Sequence, residues 1–214
     1  MMKNIEAGSI LKKLRETAPL VHNITNYVVM NSSANALLAA GASPVMAHAM
    51  PEMEEMATLA QVLVLNIGTL SDDWIEAMLE AGRVAAKRGI PIILDPVGAG
   101  ATRYRTRTAE LLLKELPITV LRGNASEIMA VSGVASGTRG VDSSAAVNDA
   151  VEHARSIALA RSLTAVITGP VDIITDGSCI VSVSNGHPMM GRVTGTGCAA
   201  TALIGAFLAV ETDS

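Results

Sequence analysis

Apolar, β-branched runs alternate along the chain with stretches in which apolar residues return every three or four positions. The runs 62–67 (VLVLNI), 90–94 (IPIIL), 118–121 (ITVL) and 164–168 (TAVIT) have strand length and strand composition. Between them, 71–88, 105–115, 125–132 and 142–162 carry helical spacing, with Ser71 and Asp142 expected to open the first and the last. The strand runs are apolar throughout rather than at every second position, which predicts a mostly parallel central sheet covered by helices on both faces. A later pair, 171–175 (VDIIT) and 179–184 (CIVSVS), flanks Asp176-Gly177 and reads as a hairpin at one edge of that sheet. No repeat, linker or low-complexity segment divides the chain, so an α/β fold in a single domain spanning 1–214 is expected.

Composition narrows the class. Aromatic residues make up 2% of the chain, with one Trp, one Phe and two Tyr, so aliphatic and small residues must build the core. A formal charge of −4 and the absence of a basic tract argue against a nucleic-acid partner. The N-terminal MMKNIEAGSILKKLRETAPLV lacks the unbroken apolar core of a secretion signal. Val193 to Val210 holds no charge, but it opens on Gly-Thr-Gly and is rich in Ala, Gly and Thr, so no membrane span is expected. Cys179 and Cys198 form neither a disulfide framework nor metal spacing, and a cytoplasmic location follows as the expectation.

The strand endings carry the candidate chemistry. VLVLN stops at Asn66-Ile67-Gly68-Thr69, IPIIL at Asp95-Pro96-Val97-Gly98-Ala99-Gly100, ITVL at Arg122-Gly123-Asn124, and TAVIT at Thr168-Gly169. Open α/β sheets bind ligands beyond the carboxyl ends of their strands, and four polar or glycine endings predict a site there. The VTGTGC run at 193–198 leads into a long apolar helix. Gly195, Thr196 and Gly197 would present free N–H groups to an anion such as phosphate. The bland alternative is a glycine turn required by sterics. No G-x-x-x-x-G-K-[ST] occurs, which excludes a P-loop. Asp95 and Glu127 are candidate holders of Mg²⁺ or of its waters, although Glu127 in a first helical turn also reads as an ordinary cap. Arg122 is a candidate phosphate partner. Together these residues indicate nucleotide-dependent phosphoryl transfer.

The segments PLVHNITN (19–26), LLAAGASPVMA (37–47), NIGTL (66–70), LDPVGAGA (94–101), RGNASEI (122–128), ITG (167–169) and VTGTGC (193–198) resemble, in order, the hydroxyethylthiazole kinase family. The resemblance runs from residue 19 to about 210. It implies a ribokinase-like fold and a homotrimer with the substrate at subunit interfaces. The implied reaction is phosphorylation of 4-methyl-5-(2-hydroxyethyl)thiazole with ATP and Mg²⁺, a salvage step toward thiamine. At matching positions it implies ATP contacts at Arg122, Thr168 and Asn124, and substrate contacts at Met46, Gly195 and Asn26. Asp95 and Glu127 correspond to acidic residues near the Mg²⁺–phosphate region. Cys198 sits where sister ribokinase-like kinases carry a catalytic Asp. Family members usually have Glu where this chain has Pro170, and they normally continue for several helices beyond the equivalent of Ser214. The sequence therefore predicts a kinase domain lacking those helices. Alternatives are a related kinase of hydroxymethylpyrimidine or pyridoxal, or a thiazole- or nucleotide-binding protein with impaired catalysis.

A cysteine at a helix start is expected to have a lowered pKa. Nothing ties His22, His48, His153 or His187 to it, which disfavours a cysteine hydrolase. A proton acceptor for the substrate hydroxyl is the preferred role for Cys198. The scarcity of aromatics predicts that aliphatic and thioether side chains, Met46 among them, wall the thiazole pocket.

Overall fold

The computed structural model describes residues 7–133 and 144–211. Helix α1 (Ala7–Thr17) leads into strand β1 (Leu20–Ile24), followed by α2 (Met30–Ala40), β2 (Ser43–Val45) and α3 (Met53–Leu59). Four strands then alternate with helices: β3 (Val62–Asn66), α4 (Asp72–Arg88), β4 (Ile92–Asp95), α5 (Arg103–Glu115), β5 (Val120–Asn124), α6 (Ala125–Val131), α7 (Ser144–Arg161) and β6 (Thr164–Thr168). The chain closes with β7 (Asp172–Thr175), β8 (Ile180–Val183) and α8 (Thr196–Leu208). The cap expected at Asp142 lies outside the described residues.

The eight strands form one sheet in the order β2-β1-β3-β4-β5-β6-β7-β8. The first six are parallel, and β7 and β8 add the antiparallel hairpin foreseen around Asp176-Gly177. Gly177 turns with a positive φ of 94°, and the Asp176 carboxylate accepts from the N–H groups of Ser178 and Cys179.

Alternating side chains of each central strand serve two cores, as the two-residue strand period requires. Val62 and Val64 of β3, with Ile93 of β4, pack toward α1, α2 and α8. Leu63, Leu65, Ile92 and Leu94 face the layer built by α3 to α7. Both faces are apolar because both are covered. Helix α8 packs on one of these faces through Ala202 and Ala206. At Gly205 that helix lies so close to the sheet that an added Cβ would come within 2.8 Å of Val64 and 3.2 Å of Ile93. Among the described residues no helix is long and apolar enough to cross a membrane.

Two strands were not evident in the sequence. His22 and Asn23 belong to β1, and β2 is a three-residue edge strand containing Pro44. Edge positions tolerate proline because one side of the strand needs no ladder hydrogen bond. Their pairing places β1 beside β3 and carries Asn26 to the same sheet edge as the four anticipated strand endings.

Candidate active site

Five parallel strands deliver their carboxyl ends under the first turn of α8. From one side to the other these ends supply Asn26, Asn66, Asp95, Arg122 and Thr168. The helix starts at Thr196, two residues before the expected Cys198, with Gly195 as N-cap at a φ of 82°. That left-handed backbone favours glycine, and an added Cβ would also strike Val29 at 2.5 Å. Gly197 faces the other way, where an added Cβ would lie 2.7 Å from the Arg122 guanidinium. The glycine-rich turn is thus wedged between the β1 side and the β5 side of the sheet.

Asp95 lies at the centre of this edge and is fully buried. Its Oδ2 accepts from Thr201 at 2.8 Å and from Asn66 at 3.0 Å, and it faces Arg122 at 3.8 Å. Its Oδ1 is buried without a hydrogen-bond partner. Burial raises the Asp95 pKa to about 6, against the opposing pull of Arg122 and of its two hydrogen bonds, while Glu127 pushes it further up. Because the folded-state pKa lies above the ordinary 3.8, the fold favours the protonated acid. Its contribution to stability is therefore greatest below pH 4 and declines as pH rises through 6. At about 1.4 kcal/mol per pKa unit, ionised Asp95 costs the fold about 3 kcal/mol at neutral pH. Asp95→Asn is accordingly expected to reduce the loss of stability between pH 4 and pH 8 by about that amount. Urea unfolding of both proteins at the two pH values reads this out, and an unchanged pH dependence would remove buried Asp95 as its source.

Cys198 lies one turn before Thr201 and is half-buried. Its Sγ receives the Asn26 amide N–H at 3.5 Å. The expectation of a lowered thiol pKa is corrected here. Burial first, and the Asp95 carboxylate second, push the Cys198 thiol up, while Asn66, Asn26 and Arg122 pull it down less strongly. The resting form is the thiol.

Arg122 projects from β5 with only a small part of its side chain exposed, and it donates Nη2 to Thr168 Oγ1 at 2.7 Å. Its Nε is buried without a partner. Beside it opens a cleft of about 710 Å³, lined by Arg122, Thr168, Pro170, His187, Thr196 and Gly197 among others. Asn124 and Glu127 border this region as the two halves of a capping box on α6. Asn124 accepts from the Glu127 N–H at 2.9 Å, and Glu127 Oε2 accepts from the Asn124 N–H at 2.8 Å. Glu127 Oε1 also takes the Gly98 N–H at 2.8 Å, which ties the DPVGAG turn to α6. The capping alternative for Glu127 is therefore realised.

Among the described residues no group of three or more His, Cys, Asp or Glu side chains is arranged to hold a metal ion. Mg²⁺ is commonly bound through one or two carboxylates together with waters and phosphate oxygens. Glu127, occupied by two amides, and Asp95, with one unpartnered oxygen, suit a hydrated ion reached through its waters.

The β1 side contains an aromatic group that composition concealed. Tyr27 and Trp74 rings lie 4.9 Å apart, and His48 lies 4.4 Å from Trp74. Met46 follows β2 and is half-buried. His22 is buried in β1, and its Nε2 lies 2.9 Å from the Ala47 carbonyl. A carbonyl oxygen only accepts, so Nε2 carries the proton and holds the Met46–His48 segment against the sheet. Burial lowers the His22 pKa, which keeps the ring neutral.

The chain matches the model of the hydroxyethylthiazole kinase family over residues 11–214. The chain belongs to that family. It is 60% identical over 200 residues to the hydroxyethylthiazole kinase of Oleidesulfovibrio alaskensis, covering 94% of this chain and 75% of the relative. The solved hydroxyethylthiazole kinase from Pyrococcus horikoshii OT3 superposes with a TM-score of 0.86 at 49% identity, over 95% of this chain and 76% of that one. Bacillus subtilis pyridoxal kinase superposes with a TM-score of 0.64 at 15% identity, over 89% of this chain and 83% of that one, a likeness in fold. The architecture is therefore ribokinase-like, and the chain is that of a phosphotransferase.

Within this hydroxyethylthiazole kinase fold, Asn66 was anticipated only as a strand ending, and Thr201 and Arg105 are polar residues at the site that were not anticipated. Thr201 stands out as a polar position four residues after Gly197 in an otherwise apolar helix, a signal available in the sequence. Arg105 donates to the carbonyls of Ile67, Gly68 and Val97 and holds the β3 and β4 endings together. Nothing in the local pattern distinguishes it from the other arginines of α5.

Proposed function

We propose that the chain transfers the γ-phosphoryl group of ATP to the hydroxyl of 4-methyl-5-(2-hydroxyethyl)thiazole, the salvage step toward thiamine. The observation that carries this reading is the placing of Arg122 and Cys198 around one glycine-rich helix start. Gly197 abuts the guanidinium, and Cys198 is held by Asn26 on the opposite side.

Arg122, Thr168 and Asn124 take the nucleotide side, with the phosphate chain entering the cleft beside Thr196 and Gly197. A guanidinium with unused donors binds phosphate oxygens through paired, charge-assisted hydrogen bonds. The free N–H groups at Gly195, Thr196 and Gly197 receive the transferring phosphoryl group. Asp95 and Glu127 would hold Mg²⁺ through its waters, and the ion would supply neutralisation of phosphate charge. Gly195, Asn26 and Met46 take the thiazole side, next to the Tyr27–His48–Trp74 ring group. The hydroxyl oxygen forms its bond to the γ-phosphorus as the bond to the bridging β–γ oxygen breaks and ADP departs. The hydroxyl proton passes to the Cys198 sulfur, in the small thiolate fraction. Phosphoryl transfer runs mainly on positioning and charge stabilisation, so a weakly populated base is sufficient.

Tyr27 and Val28 are 63% and 64% exposed next to this site, which supports a homotrimer with the thiazole at a subunit boundary. Light scattering that gave a monomer mass would remove that part of the reading. The substrate is tested by supplying ATP and Mg²⁺ with hydroxyethylthiazole, hydroxymethylpyrimidine or pyridoxal and identifying the phosphorylated product by mass spectrometry. Preferential phosphorylation of the thiazole is expected, and preference for either other alcohol would overturn the assignment.

A further inference from the structure

We propose that Asn66 is a positioning residue that fixes the Asn26 side chain with its N–H, rather than its carbonyl, toward the Cys198 sulfur. This rests on the reading of Cys198 as proton acceptor for its catalytic meaning, but the orientation itself follows from geometry.

An ionised carboxylate only accepts hydrogen bonds. Asp95 Oδ2, buried and 3.0 Å from Asn66, therefore takes the Asn66 NH₂ group and turns Asn66 Oδ1 the other way. The Gly68 N–H, 2.9 Å from the same oxygen, imposes that orientation a second time. Asn66 Oδ1 in turn accepts from Asn26 Nδ2 at 2.8 Å, which makes that end of Asn26 the amide nitrogen. The same nitrogen faces Cys198 Sγ at 3.5 Å. Gly68 closes the turn over it, since an added Cβ would lie 2.6 Å from Asn26 Nδ2.

The direction matters because a thiolate accepts hydrogen bonds. An N–H pointed at sulfur favours the ionised form, whereas a carbonyl oxygen there would oppose it. The charged groups acting on Cys198 are Asp95 from β4, which opposes ionisation, and Arg122 from β5, which favours it. Glu127 of α6 bears on Asp95. β1 and β3 contribute the neutral amides of Asn26 and Asn66, which both hydrogen-bond the sulfur, and Asn66 acts a second time by orienting Asn26. Asn66 thus links the Asp95 carboxylate, which disfavours the thiolate, to an amide array that supports it.

The test reads the thiol without reference to turnover. In the full chain carrying Cys179→Ser, the pH dependence of Cys198 alkylation by iodoacetamide gives the midpoint of thiol ionisation. Asn66→Ala is expected to raise that midpoint by about one pH unit, a roughly tenfold slower alkylation at pH 8. The same shift is expected for Asn66→Ser, whose shorter hydroxyl cannot span from Asp95 to Asn26. This second variant stands in if Asn66→Ala fails to fold. In an Asn26→Ala background, Asn66→Ala is expected to move the midpoint by less than it does in the presence of Asn26, the remainder being the direct hydrogen bond of Asn66 to the sulfur. An unmoved midpoint, or a shift of equal size with and without Asn26, overturns the proposal. Full kcat in Cys198→Ala would instead sink the base assignment and leave the alkylation result standing, so the two failures are distinguishable.

Discussion

Cys198→Ala is expected to lower kcat by about 10²–10⁴-fold while leaving the KM for the thiazole within a few-fold, and Cys198→Asp is expected to remain active. The sulfur lies at the third residue of α8, beyond the amides proposed to receive the phosphoryl group, so on the proposed reading its removal takes away a proton acceptor rather than a binding contact. Burial and Asp95 hold the thiol in its protonated form at neutral pH. The wild-type kcat should consequently climb with pH as the thiolate forms. A carboxylate at the same position is ionised over most of that range, and the alkaline rise should be absent in the Asp variant. Steady-state kinetics from pH 6 to pH 10 on the three proteins checks each element. An Ala variant with undiminished kcat, or an Asp variant that is inactive yet folded, would refute the proton-acceptor role.

Arg122→Ala is expected to cost about 10²–10³-fold in kcat/KM for ATP, consistent with losing charge-assisted hydrogen bonds worth roughly 1.5–3 kcal/mol each. The unliganded guanidinium spends one donor on Thr168 and leaves Nε buried without a partner, so hydrogen-bonding capacity is held in reserve beside the cleft. Arg122→Lys retains the charge but not the planar fork, and should fall between wild type and Ala. The substitution also removes the cation that faces Asp95. Asp95 would then ionise at still higher pH, and the Ala variant should lose stability more steeply than wild type as pH rises toward 8. Initial rates with varied ATP, together with urea unfolding at pH 5 and pH 8, separate the two effects. Unchanged kcat/KM for ATP in a folded Arg122→Ala protein would place the nucleotide elsewhere.

The parts of the fold legible in the sequence were those in which local pattern and tertiary environment agree. The β3 to β6 strands are apolar on both faces because each face meets helices, and Ser71 caps α4 through the Trp74 N–H as its position suggests. Strand β1 was hidden because its buried His22 and Asn23 are polar. They are accommodated by hydrogen bonds to the Ala47 and Val21 carbonyls. The Asn124–Glu127 box was visible as N-x-x-E at a helix start, which is why its capping role could be weighed beforehand. The charge state of Cys198 could not be read the same way. A helix start argues for thiolate, while what overrides it is burial in the folded chain and the charge of Asp95, about a hundred positions away in sequence. The Tyr27–His48–Trp74 group is a similar case, since only the packing of β1, β2 and α4 assembles it.

The most direct test of the central claim is the initial rate of ADP release from ATP and Mg²⁺ by this chain, with and without hydroxyethylthiazole. Release that depends on the thiazole and saturates with it is the result predicted by an acceptor side at Asn26 and Cys198 joined to a nucleotide side at Arg122. Thiazole binding with no ADP release above the blank would contradict it.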